Sequence, residues 1–209
     1  MKKTLIIALA ACAVGTSSAW ATDAQAPLKG DAAAGKSKSM TCAACHGADG
    51  NSSNPEWPSL AGQHESYLFK QLQDFKAERR VNASMAPMVA PLTEQDMADL
   101  AAYFSSQPRK AGEADQTQVT LGEQIFKGGN NASGVAACAA CHSPTGNGNP
   151  AANFPLLAST HPTYTSIQLN AFRKGERAND AGQMMRNVAT KMTDAEIKAV
   201  SEYIAGLQP

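Results

Sequence analysis

Cys42-Ala43-Ala44-Cys45-His46 recurs 96 residues later as Cys138-Ala139-Ala140-Cys141-His142. The pattern C-x-x-C-H is that of c-type haem attachment. Each thiol adds across one haem vinyl group, and two intervening residues set both sulfurs along the same macrocycle edge. The adjacent histidine is then held under the iron as its fifth ligand. The expectation is two covalently bound haem c groups, one on Cys42, Cys45 and His46 and one on Cys138, Cys141 and His142. A zinc ion shared by two CxxC pairs is the competing chemistry. It requires pairs from two separate domains to meet, and it leaves both histidines unexplained. A thioredoxin-like CxxC expects alternating strands and helices, and strand signals are sparse here.

The sixth iron ligand decides between electron transfer and catalysis. The first half offers Met40, Met85, Met88 and Met97, the second Met184, Met185 and Met192. An isolated methionine is more often a core gap-filler than a ligand. Counting back without gaps from Thr93 and Thr193 sets Met88 opposite Val188, Met184 opposite Ser84 and Met192 opposite Leu92, while Met97 lies opposite Ile197. Only Met85 and Met185 coincide, so these are the expected ligands, with Met88 and Met184 the next candidates. His64 and His161 also recur, but just ahead of an apolar helical stripe, which reads as helix entry. A His/Met pair raises the reduction potential and closes the coordination sphere. The remaining chemistry is one-electron exchange through the exposed haem edge. Pro58 and Pro155 recur after the histidines. A carbonyl there could accept the axial His Nδ1–H, or the prolines simply constrain a loop. Tyr67/Tyr164, Gln71/Gln168 and Arg80/Arg177 also recur, as candidates for haem propionates or for helix packing.

The elements that must carry these residues are helical. Tyr67, Leu68, Leu72 and Phe75 have the 3.6-residue spacing of a packed helix. Asp31 can cap a helix running toward Cys42, and Pro162 suits a first turn. Thr93-Glu94-Gln95-Asp96 and Thr193-Asp194-Ala195-Glu196 resemble capping boxes. They open the stripes Met97/Leu100/Phe104 and Ile197/Val200/Ile204. Segments 47–58 and 143–155, rich in Gly, Asn and Pro, read as loops. Trp57-Pro58-Ser59-Leu60 matches Phe154-Pro155-Leu156-Leu157, so the chain is an internal repeat. The expected division is a signal peptide at 1–21, a first haem domain at 22–106, a linker at 107–118 and a second haem domain at 119–209.

The 209 residues carry a formal net charge of +0, which argues against a nucleic-acid binder. Lys2 and Lys3, the apolar run Thr4–Val14 and Ala19-Trp20-Ala21 form a secretory signal. Cleavage after Ala21 leaves a charge of −2 and four cysteines, all of them in the two motifs. Leu9-Ala10-Ala11-Cys12 fits a lipobox as an alternative, with lipid on Cys12. Aromatic residues are only 6%, and two apolar macrocycles would fill the core that they do not.

The stretches GNSSNPEWPSLAGQHESYLFKQLQDF, DMADLAAYFSSQ and SEYIAGLQ, set around two CxxCH motifs, resemble the cytochrome c4 family over essentially the whole mature chain. The resemblance implies an all-α protein of two tandem class I cytochrome c domains related by an approximate two-fold axis, periplasmic and often associated with the membrane. It implies His/Met ligation by His46 with Met85 and His142 with Met185, the loop prolines at Pro58 and Pro155, and haems that face each other across the domain interface. It also implies electron transfer from a quinol–cytochrome c oxidoreductase to terminal oxidases or reductases, with no nucleic acid among the partners. The alternative is a dihaem enzyme, a peroxidase or a thiosulfate-oxidising cytochrome. That needs an open iron or a cysteine ligand, and no mature cysteine is left over.

Overall fold

The computed structural model describes residues 28–208. The signal peptide expected at 1–21, with Cys12, lies outside them. The described residues are helical and fall into two tandem repeats. In the first, α1 is Ala32–Lys38, α2 Met40–His46, α3 Glu65–Lys76, α4 Ala86–Val89 and α5 Glu94–Ser105. In the second, α6 is Gln116–Gly128, α7 Ala139–His142, α8 Pro162–Lys174, α9 Met184–Ala189 and α10 Asp194–Gly206. Among the described residues there are no strands, only the isolated bridges Asn130–Val135 and Asn149–Phe154.

The helix starts follow from their side chains. Asp31 caps α1, accepting from the Ala33 and Ala34 amides. Full capping boxes open both terminal helices. Thr93 accepts from the Asp96 amide and Asp96 reaches back to the Thr93 amide, and Thr193 and Glu196 do the same. Each box satisfies two amide donors that a helix end otherwise leaves orphaned. The helix expected to run from Asp31 toward Cys42 is broken once, at Ser39, whose hydroxyl turns back to the Lys36 carbonyl.

Each repeat is a pair of crossed helices with a third laid on one of them. α1 crosses α5 and α6 crosses α10, while α3 packs on α5 and α8 on α10. Leu68, Leu100 and Phe104 centre the first core, and Phe126, Ile197, Val200 and Ile204 the second. The α6–α10 crossing is close enough to require glycine. A Cβ on Gly122 would stand 2.2 Å from the Ala199 carbonyl oxygen and 2.6 Å from the Tyr203 Cβ. Alanine there gains about 0.8–1.0 kcal/mol of helix propensity. The clash forces α6 off α10, and overpacking of this kind costs about 1–3 kcal/mol. We therefore expect Gly122→Ala to lower the melting temperature, read by circular dichroism. A rise would mean that propensity outweighs the crossing.

Candidate haem sites

Both CxxCH motifs sit on short helices, α2 and α7, at the edge of their cores. Cys42 and Cys138 are half-buried and touch the apolar clusters, while Cys45 and Cys141 are exposed. None of the four forms a disulfide. Burial, with the neighbouring Cys45 adding to it, raises the Cys42 thiol above its ordinary pKa. Burial pushes Cys138 up to about 11. Among the described residues no three His, Cys, Asp or Glu side chains converge on a common point, so the two CxxC pairs do not build a shared zinc site.

The two histidines are held alike. His46 Nδ1 lies 2.8 Å from the Pro58 carbonyl oxygen, and His142 Nδ1 lies 3.0 Å from that of Pro155. Both rings are buried, and burial lowers their pKa against the opposing pull of the proline carbonyl. A neutral imidazole donating from Nδ1 keeps its Nε2 lone pair for a metal. Among the described residues no hydrogen-bond partner occupies Nε2 on either ring.

The methionines sort by environment. Met85 and Met185 are both half-buried, four residues before the buried Val89 and Ala189. Met185 packs on the second core. Met88 and Met184 are exposed, and Met97 and Met192 are fully within the cores. Met40 is 81% exposed beside the attachment helix. The loops leading to the half-buried pair differ. Asn82 Oδ1 accepts from the Ser84 and Met85 amides in the first repeat. The second passes through a 3₁₀ turn at Ala181–Gln183, with Gly182 and Gln183 in the left-handed region.

The recurring polar residues meet one another across the two repeats. Arg80 donates to Gln71 in its own half and to Tyr164 Oη and Gln168 Oε1 in the other, both at 2.9 Å. Arg177 donates to Gln168 in its own half and to Tyr67 Oη and Gln71 Oε1 across the boundary. Each guanidinium stacks on a phenylalanine of its own half, Phe75 or Phe172. His64 and His161 stand at the N-caps of α3 and α8, the entry positions expected of them. In addition, His64 Nε2 reaches the Asn147 carbonyl and His161 Nε2 the Ser52 carbonyl, each at 2.8 Å. Gln63 and Arg109 also cross the boundary. The Gln63 amide exchanges two bonds with the Leu156 backbone, and Arg109 bridges the Ala61 carbonyl and Thr160 Oγ1. Gln63 and Arg109 do not recur as a repeat pair, so a repeat alignment passes over them.

The site tests well against haem. Its donor set is thiol pairs and neutral imidazoles with Nε2 free. Arg177 is buried and Arg80 half-buried, and the acceptors of both are all neutral oxygens. A buried guanidinium ordinarily finds an anion, and haem propionates are anions.

A sequence model of the cytochrome c family matches residues 32–108 and again 119–208. Cytochrome c4 of Thiocapsa roseopersicina is 49% identical over 186 residues, 88% of this chain and 96% of the relative. The chain belongs to the cytochrome c4 family. Cytochrome c4 of Pseudomonas aeruginosa is also 49% identical, over 85% of this chain and 89% of its own length. Reduced recombinant cytochrome c4 from Pseudomonas stutzeri superposes with a TM-score of 0.84 at 48% identity, covering 86% of this chain and all of that one. As a cytochrome c4 homologue the chain binds two haem c groups through its two CxxCH motifs, and it is an electron-transfer protein rather than an enzyme.

Proposed function

We propose that this cytochrome c4 homologue works in the periplasm, taking single electrons from a quinol–cytochrome c oxidoreductase and passing them to terminal oxidases or reductases. The supporting observation is the duplicated pairing of a buried, carbonyl-anchored histidine with a half-buried methionine at the same repeat position. In this reading Cys42, Cys45, Cys138 and Cys141 form the thioethers. His46 with Met85 and His142 with Met185 would hold the two irons. Bound haem supplies a one-electron couple whose potential a His/Met pair raises. The chain's own work is to hold that couple still. Pro58 and Pro155 fix each imidazole's tautomer and orientation by accepting its Nδ1–H. The half-buried methionines would keep water and exogenous ligands off the irons. Arg80 and Arg177, with the tyrosines and glutamines they bind, offer donors to the propionates and lock the two halves together.

The domains of this reading are 22–106 and 119–209, joined by 107–118 and exported by a signal peptide at 1–21. Among the described residues no helix is long and apolar enough to cross a membrane. In this reading, attachment to the membrane surface is peripheral or through lipid on Cys12. The decisive experiment is the optical spectrum of the oxidised, two-haem protein. The iron–methionine charge-transfer band should amount to two equivalents. One equivalent with a high-spin signal would mean an open iron and would overturn the carrier reading.

A further inference from the structure

The boundary between the repeats is close to two-fold except at one corner. Lys70, Asp74 and Arg79 have as repeat counterparts Ile167, Ala171 and Glu176. Tyr67, Gln71 and Asp74 share one face of α3, being four and three residues apart. That face meets Arg177 and Asn179 of the second half. Asp74 is 2% exposed. Its carboxylate accepts from Asn179 Nδ2 at 2.6 Å, from Arg79 Nε at 2.7 Å and from Lys70 Nζ. Lys70 Nζ also donates to the Asn179 carbonyl. The mirrored corner has no such carboxylate. Asn82, the counterpart of Asn179, turns back to its own loop amides. Other acids also lack acidic counterparts, but buried Asp99, opposite Ala199, and Asp180 are paired inside their own halves by Lys38 and Arg186, and Glu176, opposite Arg79, is exposed.

We propose that Asp74 sets the two haem potentials apart, as a buried negative charge on the domain boundary that has no counterpart at the mirrored position, Ala171. This rests on the His/Met dihaem reading above. Oxidised haem carries one more positive charge than reduced haem. A nearby anion therefore favours the oxidised form and lowers the potential, and a cation raises it. Water screens exposed charges and reaches buried ones far less. The Lys70 side chain is 32% exposed and that of Arg79 57%, against 3% for Asp74. The carboxylate is thus the least screened of the three. Burial pulls its pKa upward, but Lys70, Asn179 and Arg79 outweigh this and hold it below the usual carboxylate range, so it is ionised at neutral pH.

The test is a redox titration of the two-haem protein and three variants, resolving both midpoint potentials. Asp74→Asn should raise the potentials and narrow their separation. Lys70→Met, which leaves the carboxylate less compensated, should lower them and widen it. Ala171→Asp supplies the missing mirrored charge and should narrow it. The first two substitutions break the same ion pair, so mere loosening of the boundary would move both the same way. Shifts of the same sign, or none, would overturn the proposal. Failure of the ligation reading is separately visible, as a missing iron–methionine band in the unaltered protein before any titration.

Discussion

Met185→Ala is expected to remove one of two iron–methionine bands and turn one haem high-spin, while Met184→Ala leaves the spectrum unchanged. The two residues are neighbours in sequence, so the contrast is a sharp test of register. Met185 packs against the second core, whereas Met184 is 42% exposed. The same contrast should hold between Met85→Ala and Met88→Ala in the first repeat. A thioether donates weakly and favours ferrous iron. Its loss should therefore lower the potential of the affected haem, within the ~0.8 V range that axial ligands span. The released position should also bind small ligands such as cyanide or imidazole. Two intact bands in Met185→Ala would place the ligand elsewhere.

The second large effect is expected at Arg177. Its guanidinium is buried, lies over the Phe172 ring and donates to Tyr67, Gln71, Gln168 and Asn179. Alanine strips a donor from four acceptors at once, two of them in the other half. A buried polar group left without its partner costs about 1–3 kcal/mol. Water entering the gap recovers part, so a net loss of about 2–4 kcal/mol is reasonable for the set. At about 2–4 °C per kcal/mol for a chain of this size, the melting temperature should fall by roughly 5–15 °C. Arg177→Lys should recover little of it, because one ammonium cannot reproduce a planar fork of donors. Calorimetry reads the loss, and both potentials should fall as a buried positive charge disappears. An unchanged melting temperature would show that the boundary does not depend on this side chain.

The local parts of this structure were readable from residues because local physics determines them. A capping box needs only four consecutive residues, so Thr93–Asp96 and Thr193–Glu196 identified their helices directly. The CxxCH motif encodes its own geometry. The repeat aligned Met85 with Met185 although the loops before them differ in length. The boundary between the repeats was harder to read. His64 and His161 were recognised at helix entries, but their reach to Asn147 and Ser52 depends on how two separately folded units turn toward each other. No periodicity carries that information. The only trace was that Tyr67, Gln71 and Arg80 recur with their polar groups intact, as contact residues would. Asp74 left no trace at all, since a feature that breaks the repeat is invisible to reasoning that relies on it.

The exchanged contacts have a consequence for the molecule's assembly. When Arg80 bonds Tyr164 and Arg177 bonds Tyr67, the same patch is used twice, each copy on the other. That is an isologous interface, the signature of a symmetric homodimer. Here it is formed by one polypeptide. Physically the chain is a dimer whose subunits have been fused. The fusion converts a concentration-dependent association into an intramolecular one, at an effective concentration in the ~mM range for a short tether. It also frees each subunit to change alone, and Asp74 opposite Ala171 is one such change. The connecting segment has only one copy, so Arg109, which spans Ala61 and Thr160, belongs to the fused form alone.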